Sequence, residues 1–240
     1  MLKFFLISLV LLFSSTVAIC HSRKPIALVY RGPGACLESC SESAAEAAEL
    51  AGYKVHFIAA NEINPSVLAH AKLWVQPGGN AIELVKALRE EQLAAIRNFV
   101  ASGGLYVGFC AGAFFTDAYV DDEKTLPGLN LTPGEQFDYI RGDSNAYMLP
   151  ITWNGEQRDI YFQEGGYIVF AKEAQAKIIA TYPNGSIATA VFPYQRGRIA
   201  ITGVHPEASE QWKLNDNLVD QDGSDINLAV ELIHELKVKK

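Results

Sequence analysis

The sequence predicts an α/β fold: an open, mostly parallel sheet flanked by helices, with added antiparallel strands in the second half. Three observations carry this expectation. Before residue 110, short β-branched and aromatic runs alternate with Ala-, Leu- and Glu-rich helical stretches, the order of a parallel βα sheet. The run Leu105-Tyr106-Val107-Gly108-Phe109 then leads through Gly-x-Cys-x-Gly into an Ala/Phe segment, which is the strand, sharp turn and helix of a nucleophile elbow. From 121 to 200, Pro-Gly, Asn-Gly and Gly-Gly pairs separate short strand-like runs, the pattern of antiparallel strands.

The 240 residues suit one domain with a large core, expected over 24–240. Net charge is −7, pI is about 5.3, and no lysine- or arginine-rich patch interrupts the chain. That balance argues against electrostatic binding of nucleic acid. Met1-Leu2-Lys3, the apolar run Phe4 to Phe13 and the small residues up to Ala18 read as a secretory signal peptide over 1–18. The apolar run is too short to span a bilayer. Val17-Ala18-Ile19-Cys20 is also similar to a bacterial lipoprotein box, although Ile19 stands where such boxes take a small residue. Export to a periplasm or to the medium is the expectation, with a lipid anchor at Cys20 as the alternative.

In the order of the chain, Pro25 to Tyr30 predicts a first strand and Gly32-Pro33-Gly34 breaks it. Glu38 to Ala51 predicts a helix ended by Gly52. Lys54 to Ile58 and Leu73 to Val75 are the next strands; His56 reads as a partly exposed strand residue and His70 as a solvated loop or helix-end residue. Gln76-Pro77-Gly78-Gly79-Asn80 leaves the third strand. Asn80 caps a helix from Ala81 through Leu88, and Glu91 to Ala101 forms another. After the elbow, Asn154-Gly155 and Asn184-Gly185 predict hairpin turns. Asn130-Leu131-Thr132 and Asn184-Gly185-Ser186 are glycosylation sequons that matter only in a eukaryotic secretory path. Arg198 to Thr202 is a late strand, and Asp225 to Lys237 closes the chain as an amphipathic helix with His234 beside its apolar stripe.

Four cysteines stand at 20, 36, 40 and 110. An oxidising compartment permits disulfides, and spacing does not choose among the three complete pairings. Cys36–Cys40 across a loop-to-helix junction is the expected bond, with Cys110 free. Without a second Cys/His cluster at ligand spacing, no metal is expected, and no cofactor.

Two strand ends then point to one chemistry. Cys110 sits in the elbow, where a nucleophile takes a strained backbone and its neighbours must lack bulk; Gly108, Gly112, Ala111 and Ala113 meet that need. The late strand ends in His205-Pro206-Glu207. A cysteine nucleophile needs a base and the base needs an orienting acceptor, roles that His205 and Glu207 fill. Consecutive glycines aim backbone N–H groups at one point, so the N–H groups of Gly79 and Ala111 are the expected oxyanion hole. A lone His-Pro-Glu or a short Gly motif carries little by itself; two such strand ends in one α/β chain carry much more.

Together these residues resemble the class I glutamine amidotransferase-like superfamily, whose members carry Cys in Gly-x-Cys-x-Gly and a downstream His-x-Glu. Within it the chain is most similar to the biotin-protein ligase N-terminal domain family, on Val29-Tyr30-Arg31-Gly32-Pro33-Gly34, Gln76-Pro77-Gly78-Gly79-Asn80, Gly108-Phe109-Cys110-Ala111-Gly112-Ala113 and Gly203-Val204-His205-Pro206-Glu207. The resemblance covers roughly 25 to 236. It implies a flavodoxin-like sheet, a Cys-His-Glu triad, and substrate contacts from Tyr30, Gly32, Gly34, Gly78, Asn80 and Phe114. The ligase catalytic module does not accompany it, so the expectation is a stand-alone domain that biotinylates nothing. The superfamily elbow usually continues to a Gln that helps seat glutamine, and here that position is Phe114. The expected function is therefore an exported cysteine hydrolase acting on another amide, peptide or ester, as small molecule or peptide, through a thioester. A non-catalytic binding domain and a glutaminase are the alternatives.

Overall fold

In the computed structural model, residues 23–36 and 39–237 are described. The expected signal peptide and Cys20 lie outside the described residues. The first half is built as the alternation predicts. Strands β1 (Ile26–Tyr30), β2 (Lys54–Ile58), β3 (Leu73–Gln76) and β4 (Leu105–Phe109) alternate with helices α1 (Cys40–Leu50), α2 (Pro65–Leu68), α3 (Ala81–Lys86) and α4 (Glu90–Ala101). The elbow helix α5 is a single turn, Ala111–Phe114. Six strands follow: β5 (Gly134–Asp138), β6 (Ala146–Trp153), β7 (Glu156–Gln163), β8 (Gly166–Phe170), β9 (Lys177–Thr181) and β10 (Ile187–Tyr194). Then come β11 (Gly197–Thr202), α6 (Glu210–Asn215) and α7 (Ile226–Glu235).

The eleven strands share one sheet, ordered β2-β1-β3-β4-β11-β10-β9-β6-β7, with β5 and β8 attached through β10. From β2 to β11 neighbours run parallel; beyond β11 every pairing is antiparallel. The late strand β11 thus returns from the antiparallel half to lie beside β4, with Thr202 paired to Phe109. That adjacency brings residues almost a hundred positions apart to the same sheet end.

Side-chain alternation explains why the inner parallel strands β1, β3 and β4 bury both faces. Ala27, Val29, Leu73 and Val75 pack with the alanines of α1 and with Leu228, Ala229, Leu232 and Ile233 of α7. Leu28, Tyr30 and Trp74 point the other way, onto Leu93, Ile96 and Val100 of α4. The Ala-rich face of α1 lets it lie close to the sheet, and Gly52 follows it at φ +93, a left-handed backbone that side chains disfavour. His234 approaches the carbonyl of Ala51 at 3.2 Å, so it ties α7 to the end of α1.

Asn154 and Gly155 both take positive φ between β6 and β7, as a two-residue hairpin requires. Several boundaries shift by one or two residues. The third helix ends at Lys86 rather than Leu88, and the closing helix starts at Ile226 and ends at Glu235. Helix α6 has no counterpart in the sequence reading; it is six residues long, too short for an apolar period to register. Among the described residues no helix is long and apolar enough to cross a membrane.

Candidate active site

The elbow is strained where the sequence places it. Cys110 has φ 47 and ψ −107, a sparsely populated conformation for a residue with a side chain. The surroundings hold it there. Its N–H donates to Thr202 O at 2.8 Å across the β4–β11 junction, and its carbonyl accepts from the N–H groups of Ala113 and Phe114. The flanking glycines are demanded by close approach: a Cβ on Gly108 would lie 2.2 Å from Gly112 O, and one on Gly112 2.3 Å from Gln76 O. Gly112→Ala is therefore expected to destabilise the protein by about 3 kcal/mol through overpacking, read as a lowered midpoint in urea; an unchanged midpoint would show that the elbow can spread.

A one-turn helix leaves most of its carbonyls without intrahelical donors, and side chains supply them. Tyr106 Oη donates to Gly112 O at 2.7 Å; Thr116 Oγ1 and Gln136 Nε2 each donate to Ala113 O at 2.7 Å. Asp117 beside them accepts from both nitrogens of Gln136. Burial outweighs those bonds and lifts its carboxyl to about 6.

His205 follows the end of β11 and is buried, as is Glu207. Imidazole Nδ1 and Glu207 Oε1 lie 2.8 Å apart, which fixes the ring and leaves Nε2 free for another partner. Burial alone would lower the imidazole pKa; the Glu207 carboxylate and the Cys110 sulfur overrule it and carry it up to about 10. Gly78 marks the convergence of the two strand ends. A Cβ there would stand 2.8 Å from His205 Cε1 and 3.8 Å from Cys110 Cβ. The sulfur, 3.6 Å from Gln163 O, has that carbonyl as a weak acceptor.

Cys110, His205 and Gly79 open onto one cavity of about 260 Å³. Gly79, at φ +138, faces Ala35 in an antiparallel bridge whose hydrogen bonds are made by Cys36 and Asn80, so its own N–H points away from that bridge. The N–H of Ala111 is the first of α5, a position without an intrahelical acceptor. The Cys36–Cys40 disulfide forms as expected, with Cα atoms 5.1 Å apart, and both cysteines line the cavity. Cys110 is a free thiol.

The other residues singled out in the sequence stand outside the cavity lining. Tyr30 is fully buried and its hydroxyl donates to Pro33 O at 2.9 Å. Gly32 lies against the Tyr30 ring, and Gly34 at φ +82 lets α3 approach at Leu84. Gly34 O accepts from Asn80 N–H and Gly78 O from Cys36 N–H, so this loop braces the Gly78-Gly79 turn from behind. Asn80 Oδ1 caps α3 by accepting from Glu83 N–H. The Phe114 ring packs against the backbone of Gly166.

What the sequence reading missed is the facing wall: Tyr161, Gln163 and Glu164 at the end of β7, and Trp212, Asn215 and Asp216 at the end of α6. Two glycines bring the β7 end in. A Cβ on Gly165 would lie 1.7 Å from Gly203 O, and one on Gly203 1.9 Å from Gly166 O, so only glycines permit this contact. His205 N–H also donates to Tyr161 O at 2.8 Å. The Gly165-Gly166 pair was legible as a turn, but not as a joint against Gly203. The rings of Tyr161 and Trp212 meet the His205 ring edge-on, at 5.8 and 5.4 Å.

Helix α6 is secured by Lys213, whose side chain is 2% exposed and binds Glu210 and Asp220. Lys213→Met would strand the buried Asp220 carboxylate. The expected cost is about 3 kcal/mol or more, with faster amide exchange across 210–220; unaltered exchange there would show that α6 is held by packing alone. A larger cavity, about 370 Å³, opens at the amino ends of β3 and β4. Among the described residues Lys72 is the one titratable side chain in its wall and is bonded to Gly103 O, so they place no reactive pair there.

Residues 26–148 of the 240 match the family described as biotin-protein ligase, N terminal. A curated relative, the biotin–protein ligase of Schizosaccharomyces pombe, is 27% identical over 217 residues, covering 77% of this chain. The alignment takes in 33% of that protein, so the chain corresponds to about a third of its length. A solved glutamine amidotransferase superposes with a TM-score of 0.61 at 17% identity, over 86% of this chain and 99% of its own. A cytoplasmic protein of Salmonella typhimurium LT2 gives 0.57 at 12% identity, over 88% and 99%. An exo-β-1,4-mannosidase of an Opitutaceae bacterium, strain TAV5, gives 0.54 at 14%, over 91% of this chain and 37% of that one. At such identities the structural likeness concerns the fold.

Proposed function

The chain belongs to the biotin-protein ligase N-terminal family, with a glutamine amidotransferase-like fold, and from that premise we propose that it is a hydrolase with a Cys110–His205–Glu207 triad. The observation that carries the reading is the convergence of a strained elbow cysteine and a carboxylate-held imidazole on Gly78 at one cavity.

In the proposed reaction His205 Nε2 takes the proton of the Cys110 thiol, and Sγ attacks the acyl carbon of an amide, peptide or ester. The S–C bond forms as the carbonyl electrons move to oxygen. The N–H groups of Gly79 and Ala111 receive that oxyanion, at about 3 kcal/mol per donor. As the tetrahedral species collapses, the C–N or C–O bond breaks and His205 Nε2 gives its proton to the leaving group. Water, deprotonated by the same nitrogen, then attacks the thioester carbon; the C–S bond breaks, the acid leaves and the proton returns from Nε2 to sulfur. Glu207 keeps Nδ1 as the bonded nitrogen throughout, so Nε2 stays on the reacting side. The raised imidazole pKa supports its role as the proton donor at neutral pH.

Glutaminase chemistry is less well supported. Phe114 stands where the superfamily places its glutamine-seating Gln, and among the described residues no Lys or Arg lines the cavity to meet an α-carboxylate. We also propose export to an oxidising compartment, a reading supported by the signal-like N-terminus and by the disulfide in the cavity wall. The direct test uses p-nitrophenyl acetate with rapid acid quench. A burst of nitrophenolate with one acetyl group on the Cys110 peptide is expected. No burst and no adduct on that peptide would remove the hydrolase reading.

A further inference from the structure

The cavity around Cys110 is charged on one side only. Glu164, just after β7, and Asp216, just after α6, put two carboxylates in its lining. The other polar side chains there, apart from the triad, are the neutral Ser39, Gln163 and Asn215 and the Tyr161 hydroxyl. Among the described residues no Lys or Arg lines it. The basic groups nearest in the chain are engaged elsewhere: Lys213 with Glu210 and Asp220, Arg158 with Asp222 and Asp225. Among the described residues the one lining group able to carry positive charge is His205, and its Nδ1 is turned to Glu207.

A carboxylate entering this cavity meets two like charges and no guanidinium or ammonium donor. An ammonium group meets two anions beside the rings of Tyr161 and Trp212, which stand edge-to-face at 5.6 Å. Aromatic faces attract cations through their quadrupole, so carboxylates and rings act in the same direction. Asp216 is fixed for the purpose: Tyr161 Oη donates to its Oδ2 at 2.6 Å. Trp212 is 8% exposed and lines the cavity, and its indole N–H, closed to solvent, has no acceptor among the described residues. A volume of about 260 Å³ admits a small group or a side chain.

Resting on the hydrolase reading above, we propose that this cavity selects acyl substrates that carry an ammonium group, and that Glu164 and Asp216 determine that specificity. Substrates of this class are amides, peptides or esters whose acyl portion bears a free amine, such as a lysine-like side chain or an amino terminus.

The test compares three p-nitrophenyl esters of equal length: ε-aminocaproyl, caproyl and the monoester of adipic acid. The ammonium ester is expected to acylate Cys110 about fivefold or more faster, in kcat/KM, than the carboxylate ester, with the neutral ester between. In the double variant Glu164→Gln, Asp216→Asn that ratio should fall toward one. Equal rates for the three esters, faster reaction of the carboxylate ester, or an unchanged ratio in the double variant would overturn the proposal. Calorimetry on Cys110→Ala with ε-aminocaproamide and adipamate reads charge selection without chemistry. If no ester acylates the protein, the hydrolase reading fails. The charge selection then stands if the cation binds and the anion does not, and falls if neither binds or the anion is preferred.

Discussion

Cys110→Ala is expected to remove acyl transfer entirely, lowering turnover of an activated ester at least about a thousandfold. The reason is chemical and local. Cys36 and Cys40 are joined to each other, which leaves Cys110 as the free thiol of the described residues. The strained turn at φ 47 sets that sulfur at the carboxyl end of β4, beside His205. Peptide mapping after iodoacetamide should place the label on Cys110 in the native protein, apart from any label on Cys20, and find none at position 110 in the variant. His205→Ala should retain the label but slow it strongly, because the sulfur loses its proton acceptor. Turnover that survives in Cys110→Ala would mean that another group attacks, and the triad reading would be abandoned.

Glu207→Gln is expected to have the second largest effect, on stability as well as on reaction. His205 is buried, and its pKa is raised from 6.5 to about 10 because Glu207 and Cys110 outweigh the burial that would lower it. A folded-state pKa above the unfolded one means that the protonated imidazole stabilises the fold. That stabilisation is complete below about pH 6.5 and is lost as pH rises toward 10. The native protein should therefore weaken across that window. The variant leaves the imidazole without its anion, so the slope should flatten. At neutral pH the loss of one partner of a buried pair should cost about 3 kcal/mol. Urea midpoints measured from pH 6 to pH 10 on both proteins decide the matter. The same slope in both would assign the raised pKa to something other than Glu207.

The lesson for reading such chains lies in which residues each wall of the cavity uses. Gly108, Cys110 and Gly112 are neighbours in sequence, and their spacing encodes the turn directly, since bulk at either glycine meets backbone oxygen. His205 and Glu207 were legible for the same reason: both stand just past a strand that could be recognised by its own apolar run. Gly32, Gly34 and Asn80 were also legible as turn and cap residues. Their task of bracing Gly78-Gly79 from behind appears only when the Ala35–Gly79 bridge is seen.

By itself the sequence determined the alternating parallel half and the antiparallel change after the elbow, and it singled out Cys36–Cys40 as the expected bond and three residues as a candidate triad. These are short-range features, written in periodicity, turn chemistry and spacing. Only the tertiary structure decided that β11 lies beside β4, that Gly165 and Gly203 touch, and that α6 folds over the opening with Trp212 and Asp216. Those contacts join segments separated by tens of residues. Strand order and backbone packing select them, and no local pattern records which distant segment will supply the opposite wall or its charge.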